Sequence, residues 1–344
     1  MKNYNSFKIL KTLTCLQACS VLLFVLIACN KGSDDPGKDN KITNPVPIGE
    51  NTTTILLEVI NETDGKSIPI YLALPGERSA PLKAVLVLHG SGGPWDDDDL
   101  DGDGIVETCN VGTPSRQTRE WRDLLIENGF VAVFADSYSP RNTCENEGAY
   151  KNPPLKFVIS GTFIRNRDAY AILNLLKRLV WKESELPIID PERIALVGFS
   201  DGGTSAESTL FDVAATPASW QWKQSFSGNT YTTEVLPPPA VPEKDRFVAG
   251  VFYYPGSFHN SYYGNICSGD GIYKSYCDVL FHLPEEDPLT DNSNCLVETM
   301  IQNGGGIPTV FDYAGLDHGF DDDDTEESEL ARARSIAFIL SKMN

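Results

Sequence analysis

Beyond residue 52, short apolar runs alternate with segments whose apolar residues recur at helical spacing. Thr53–Ile60 and Ser67–Leu74 flank Asp64-Gly65, which predicts an antiparallel hairpin. Ala84–Leu88, Phe130–Ala135, Arg193–Val197, Phe247–Tyr253, Asp278–Leu283 and Thr309–Tyr313 are short, mostly apolar runs that predict strands. Between and after them, Gln117–Asn128, Phe163–Leu179, Thr204–Phe211, Cys295–Gln302 and Glu326–Lys342 predict helices. Strand and helix in turn predict an α/β fold with a mostly parallel central sheet flanked by helices. In such a sheet, ligands gather at the carboxyl ends of the strands. Ala214–Lys244 and Gly256–Cys277 break the alternation and are expected to be loop insertions capping a site there.

The N-terminus follows another pattern. Lys2, Lys8 and Lys11 precede an apolar run from Val21 to Ala28, too short to span a bilayer as a mature helix. Residues 1–28 therefore read as a signal peptide. Leu26-Ile27-Ala28-Cys29 resembles a bacterial lipobox. That resemblance implies cleavage before Cys29, lipidation of Cys29, and stable anchoring of the mature chain to a membrane. Asn30 after the cysteine favours the outer membrane in a Gram-negative cell. Residues 29–51 are rich in Lys, Gly, Ser, Asp, Asn and Pro, and are expected to form a flexible tether. Residues 52–344 form the folded domain.

Charge narrows the partners. The 344-residue chain has 28 Lys+Arg against 48 Asp+Glu. Loss of the signal leaves 25 against 48, a net charge of −23. So acidic a domain argues against nucleic acid and against electrostatic docking on anionic lipid. Export makes disulfides permissible for Cys109, Cys144, Cys267, Cys277 and Cys295. Cys267–Cys277, closing a short loop, is the favoured pair. Cys109–Cys144 is a second, and Cys295 is left over.

Candidate chemistry centres on Gly198-Phe199-Ser200-Asp201-Gly202-Gly203, which follows the run ending at Val197. Gly-x-Ser-x-Gly between a strand and a helix is the form of a nucleophile elbow, whose tight turn demands small residues two before and two after the serine. A serine nucleophile needs a base, an orienting acid and an oxyanion hole. His318, in the loop between the last strand and last helix, is the candidate base. His259 is the reserve, and His89 and His282 have other expected roles. Asp287, held before Pro288 after an intervening strand, is the candidate acid, ahead of Glu286 and Glu285. The N–H groups of Asp201 and of Ser91, in His89-Gly90-Ser91-Gly92-Gly93, are the candidate oxyanion donors.

Together with Asp136-Ser137-Tyr138-Ser139-Pro140-Arg141, Asp190-Pro191-Glu192-Arg193, Glu286-Asp287-Pro288-Leu289-Thr290 and Asp317-His318-Gly319-Phe320, these motifs resemble the dienelactone-hydrolase-like branch of the α/β-hydrolases. The resemblance runs from Ala84 to the C-terminus. It implies a triad of Ser200, Asp287 and His318. Dienelactone hydrolases use a cysteine nucleophile, so the serine favours a carboxylester hydrolase working through an acyl-enzyme. Related chains carry Arg-Gly where Arg141-Asn142 stands. No cofactor is needed for this chemistry.

Asp99, Asp101, Asp103, Ile105 and Glu107, with Gly104 at position 6, resemble the first part of an EF-hand-type loop and predict a structural calcium site. Asn110 at position 12 lowers its expected affinity. Asp321–Asp324 lacks ligand spacing and reads as a solvated acidic run. Trp220, Trp222, Tyr262 and Tyr263 in the insertions suit either stacking on a sugar or polyester, or plain packing. The leading expectation is an extracytoplasmic, lipid-anchored serine esterase acting on a small or oligomeric ester. A serine peptidase and a substrate-binding surface lipoprotein are the alternatives.

Overall fold

A computed structural model describes residues 45–51, 53–76, 81–98, 108–143, 164–226, 229–232, 235–257, 262–264 and 266–344. All of these fall in one unit, Asn40–Asn344. The expected signal peptide and Cys29 lie outside the described residues, as do the acidic loop from Asp99 to Glu107, His259 and Cys144. Among the described residues no helix is long and apolar enough to cross a membrane.

Eight strands form the central sheet: β1 (Thr54–Asn61), β2 (Lys66–Ala73), β3 (Leu82–Leu88), β4 (Phe130–Ala135), β5 (Ile189–Phe199), β6 (Ala249–Tyr253), β7 (Asp278–Pro284) and β8 (Pro308–Tyr313). Their spatial order is β1-β2-β4-β3-β5-β6-β7-β8. β1 and β2 pair antiparallel about a turn in which Gly65 takes a φ of 71°, and β2 pairs antiparallel with β4. Every other neighbouring pair is parallel. β3 and β4 are almost wholly apolar because helices cover both faces of the sheet.

The helices are α1 (Arg116–Glu127), α2 (Asn166–Leu176), α3 (Asp201–Leu210), α4 (Thr290–Asn303) and α5 (Glu326–Lys342). Trp121 and Leu125 of α1 and Ala331, Ile336 and Ile339 of α5 pack on one face, against Val85, Val87, Phe134, Val197, Phe199, Val251 and Tyr253. Strand alternation turns Gly250 to the other face, where Leu210 of α3 fills the space a Cβ would need. α1 begins at Ser115, whose Oγ accepts the Thr118 N–H at 3.3 Å, a cap worth about 1 kcal/mol. It ends before Gly129, whose φ of 77° provides a left-handed exit.

Three expectations change. Val46–Ile48, assigned to the tether, pairs in parallel with Leu179–Trp181, and Val46 and Ile48 are buried. Apolar burial therefore extends the fold ahead of residue 52. The helix expected to reach Leu179 stops at Leu176, because Leu179 belongs to that pair. The favoured Cys267–Cys277 pair is replaced by Cys267–Cys295, with Cα atoms 4.8 Å apart. This bond fastens the second insertion to α4, and Cys277 stays a free thiol whose pKa burial pushes up to about 12. Cys109 is also disulfide-bonded.

The aromatic residues of the insertions pack among themselves. Trp222, Tyr263 and Tyr273 surround Phe211, just past the C-terminal end of α3, and Trp222 lies 4.6 Å from Tyr262 between ring centroids. Tyr262 and Tyr263 are fully buried. These rings form a core at the end of α3 remote from Ser200, rather than a cap over it.

Candidate active site

The carboxyl end of β5 passes into α3 through one residue, Ser200, with φ 50° and ψ −115°. A non-glycine residue rarely adopts this conformation unless its surroundings enforce it. The enforcement is steric. A Cβ on Gly198 would lie 2.5 Å from the Gly202 carbonyl carbon and 2.8 Å from the Gly203 nitrogen. A Cβ on Gly202 would lie 2.7 Å from the Leu88 carbonyl carbon. Only glycine fits at either position. The Ser200 N–H donates to the Tyr253 carbonyl at 3.0 Å, pinning the turn to β6.

His318 follows β8 and reaches back to this turn. The Ser200 hydroxyl donates to His318 Nε2 at 2.8 Å, and His318 Nδ1–H donates to Asp287 Oδ2 at 2.7 Å. Asp287 is buried after β7, and its other oxygen accepts the Leu289 N–H at 2.9 Å. The His318 side chain remains 34% exposed. Ser200, His318 and Asp287, 118 and 31 positions apart along the chain, thus form one line of hydrogen bonds. Glu285 and Glu286 lie outside that line; their N–H groups donate to the carbonyls of Tyr313 and Leu316.

The other described histidines are held elsewhere. His89 donates from Nδ1 to the Gly90 carbonyl at 2.7 Å, and its Nε2 accepts the Ser137 N–H at 3.4 Å. Burial and the Arg165 charge push its pKa well below the ordinary 6.5, so it is neutral. His282, within β7, is stacked on Tyr253 at 4.3 Å and hydrogen-bonded to Tyr313 and Ser335. Burial, then Arg334, lower its pKa to about 3.

The two oxyanion candidates stand beside the serine. Asp201 is the first residue of α3. A Cβ on Gly90 would touch Ser200 Cβ at 3.6 Å, so the loop carrying exposed Ser91 runs past the nucleophile. A residue without a sequence motif joins these parts. Arg165, just ahead of α2 and fully buried, pairs with the Asp201 carboxylate and donates from Nη2 to the His89 carbonyl at 2.7 Å. Tyr138 donates its hydroxyl to Asp201 at 2.9 Å. Arg165 stands in the sequence beside Arg167 and Asp168, so nothing there singles it out.

The loop after β4 is equally fixed. Asp136 accepts the Trp95 indole at 2.6 Å and the Tyr138 and Ser139 N–H groups. Arg141 makes a two-point contact with buried Asp168 at 2.9 and 3.0 Å and reaches Asp64 at 2.9 Å. Asn142 takes φ 60° and ψ 41°. Asparagine tolerates this left-handed conformation best after glycine.

The expected solvated run Asp321–Asp324 needs correction at its first member. Asp321 is 1% exposed, and accepts the Tyr254 hydroxyl and Gln117 Nε2, the latter at 3.1 Å. Burial pushes its pKa up to about 7 despite these donors. Asp324 does face solvent, paired with Arg116.

The fold finds counterparts among solved structures. A candidate dienelactone hydrolase from Klebsiella pneumoniae superposes with a TM-score of 0.53 at 16% identity, covering 84% of this chain and 99% of that one. Esterase 2 of Thermogutta terrifontis gives 0.52 at 15%, covering 85% and 96%. A dienelactone hydrolase-like promiscuous phosphotriesterase from metagenomic libraries gives 0.51 at 15%, covering 85% and 99%. The chain has the α/β-hydrolase fold. At these identities the likeness is one of fold. No family model matches the chain. Over 165 residues, 45% of its length, it is 28% identical to a non-reducing polyketide synthase of Stachybotrys bisbyi, and the match spans 6% of that protein. Among the described residues, no group of three or more His, Cys, Asp and Glu side chains could hold a metal ion.

Proposed function

We propose that this protein is a serine hydrolase that cleaves carboxylic esters through an acyl-enzyme. The observation that carries the reading is the line Asp287–His318–Ser200, ending at a strained serine at the carboxyl edge of a parallel sheet. In this reading Ser200 Oγ attacks the ester carbonyl while its proton passes to His318 Nε2. Asp287 holds the imidazole in the tautomer that leaves Nε2 free to accept, and stabilises the imidazolium. The N–H groups of Asp201 and Ser91 take the oxyanion. His318 then protonates the departing alcohol. Water, deprotonated by His318, cleaves the acyl-enzyme to release the acid and regenerate Ser200. Neutral His89 keeps a second positive charge out of the oxyanion loop.

The same proposal sets the protein outside the cytoplasm, tethered through lipidated Cys29 as the N-terminal sequence predicts. The Cys267–Cys295 bond supports it, since disulfides persist in oxidising compartments. The test is hydrolysis of a panel of p-nitrophenyl esters by the purified protein, beside Ser200→Ala. Turnover abolished in the variant supports the reading. Folded wild-type protein inert on every ester, and unlabelled by a fluorophosphonate, overturns it.

A further inference from the structure

Besides Ser200 and Asp287, His318 meets Tyr254, the first residue after β6. Its ring meets the imidazole at 4.6 Å between centroids, with planes 60° apart. Tyr254 is buried and takes a φ of 36°, a costly conformation for a bulky residue. Two hydrogen bonds hold it there: its N–H donates to the His282 carbonyl at 2.9 Å, and its hydroxyl donates to Asp321 Oδ1. Asp321 lies three residues beyond His318 in the chain. Its other carboxylate oxygen accepts Gln117 of α1, and its carbonyl accepts Arg332 Nη1 of α5 at 2.7 Å. One buried acid therefore ties the loop that carries His318 to α1, to α5 and to the residue packed against the imidazole.

Building on the esterase reading, we propose that Tyr254 and Asp321 are a positioning pair for His318: Asp321 holds Tyr254, and Tyr254 holds the imidazole in line with Ser200. Neither touches the reacting atoms. The expense of burying an acid away from solvent, visible in its upward-shifted pKa, is accounted for by this clamp. Misplacing a base by a fraction of an ångström slows the chemical step and leaves ground-state binding largely intact.

The experiment compares kcat and KM for wild type, Tyr254→Phe, Asp321→Ala, Asp321→Asn and the Tyr254→Phe/Asp321→Ala double variant. Tyr254→Phe and Asp321→Ala are each expected to lower kcat about ten-fold with KM within about two-fold. Asp321→Asn keeps an oxygen that accepts the Tyr254 hydroxyl, and is expected to stay within about three-fold of wild type. The double variant is expected to match the worse single one, because both break the same contact. Folded Tyr254→Phe with wild-type kcat, or losses that multiply in the double variant, overturns the pair. If Asp321→Ala does not fold, Tyr254→Phe and Asp321→Asn decide it through their opposite expectations. If the wild type hydrolyses no ester, the esterase reading fails by itself. The pair is then judged by NMR: the His318 Nδ1 proton should exchange with water faster in Tyr254→Phe, and unchanged exchange overturns it.

Discussion

Ser200 and His318 meet at one hydrogen bond, yet they are held by different means. Ser200 is fixed by backbone sterics. Glycines two residues to either side admit β5, α3 and the loop after β3 into contact, and the strained φ follows. His318 is fixed by side chains drawn from the ends of β6 and β7 and, through Asp321, from α1 and α5. The first arrangement is local and rigid, and needs one residue type at each position. The second is assembled from afar, and any set of groups with matching donors and acceptors could serve. Backbone constraint and side-chain constraint therefore leave very different traces in a sequence.

If both corners serve one reaction, Ser200→Ala should lower kcat on an ester by about 10⁴- to 10⁶-fold while the fold persists. Retained turnover with unchanged melting would break the comparison at its root. Gly202→Ala probes the nucleophile corner alone. Its new methyl collides with the Leu88 and His89 carbonyls, so we expect about 3 kcal/mol or more of destabilisation, read from urea denaturation, together with loss of activity.

Asp321 probes the base corner through pH. Its carboxyl rises from an ordinary 3.8 to about 7 on folding, so the folded chain holds this proton more tightly than the unfolded chain. The resulting stability is complete below about pH 4 and is lost as pH climbs through about 7. Asp321→Asn should therefore gain on wild type between about pH 5 and about pH 8 when urea midpoints are compared. Equal midpoints for the two proteins at both pH values would show an acid that does not titrate on folding. The smallest effect belongs to Asn142→Gly, expected within about 1 kcal/mol of wild type, because both residues accept the left-handed φ. Asn142→Val at the same position should cost about 1–3 kcal/mol. Thermal denaturation of the two separates them.

The legibility of the chain divides along the same line. The strands of the sheet were visible as apolar runs, because burial on both faces leaves no room for polar residues in β3 and β4. The elbow was visible because only glycine satisfies Gly198 and Gly202. His318 and Asp287 could be chosen from their places after β8 and β7, since topology brings those loops to one edge. Asp321 was hidden in a run of four aspartates whose composition suggests solvent. Its burial depends on Tyr254, 67 positions away. Arg165 was hidden for the same reason, its partner Asp201 lying 36 positions on. For the cysteines, loop length favours Cys277 as the partner, whereas α4 presents Cys295 to Cys267. Val46–Ile48 is too short to show a period at all.

The socket around Ser200 has one more consequence. The collisions that define it fall on positions 198 and 202, on either side of the residue that it presents. The shape of the turn and the group that it presents are thus written in different residues.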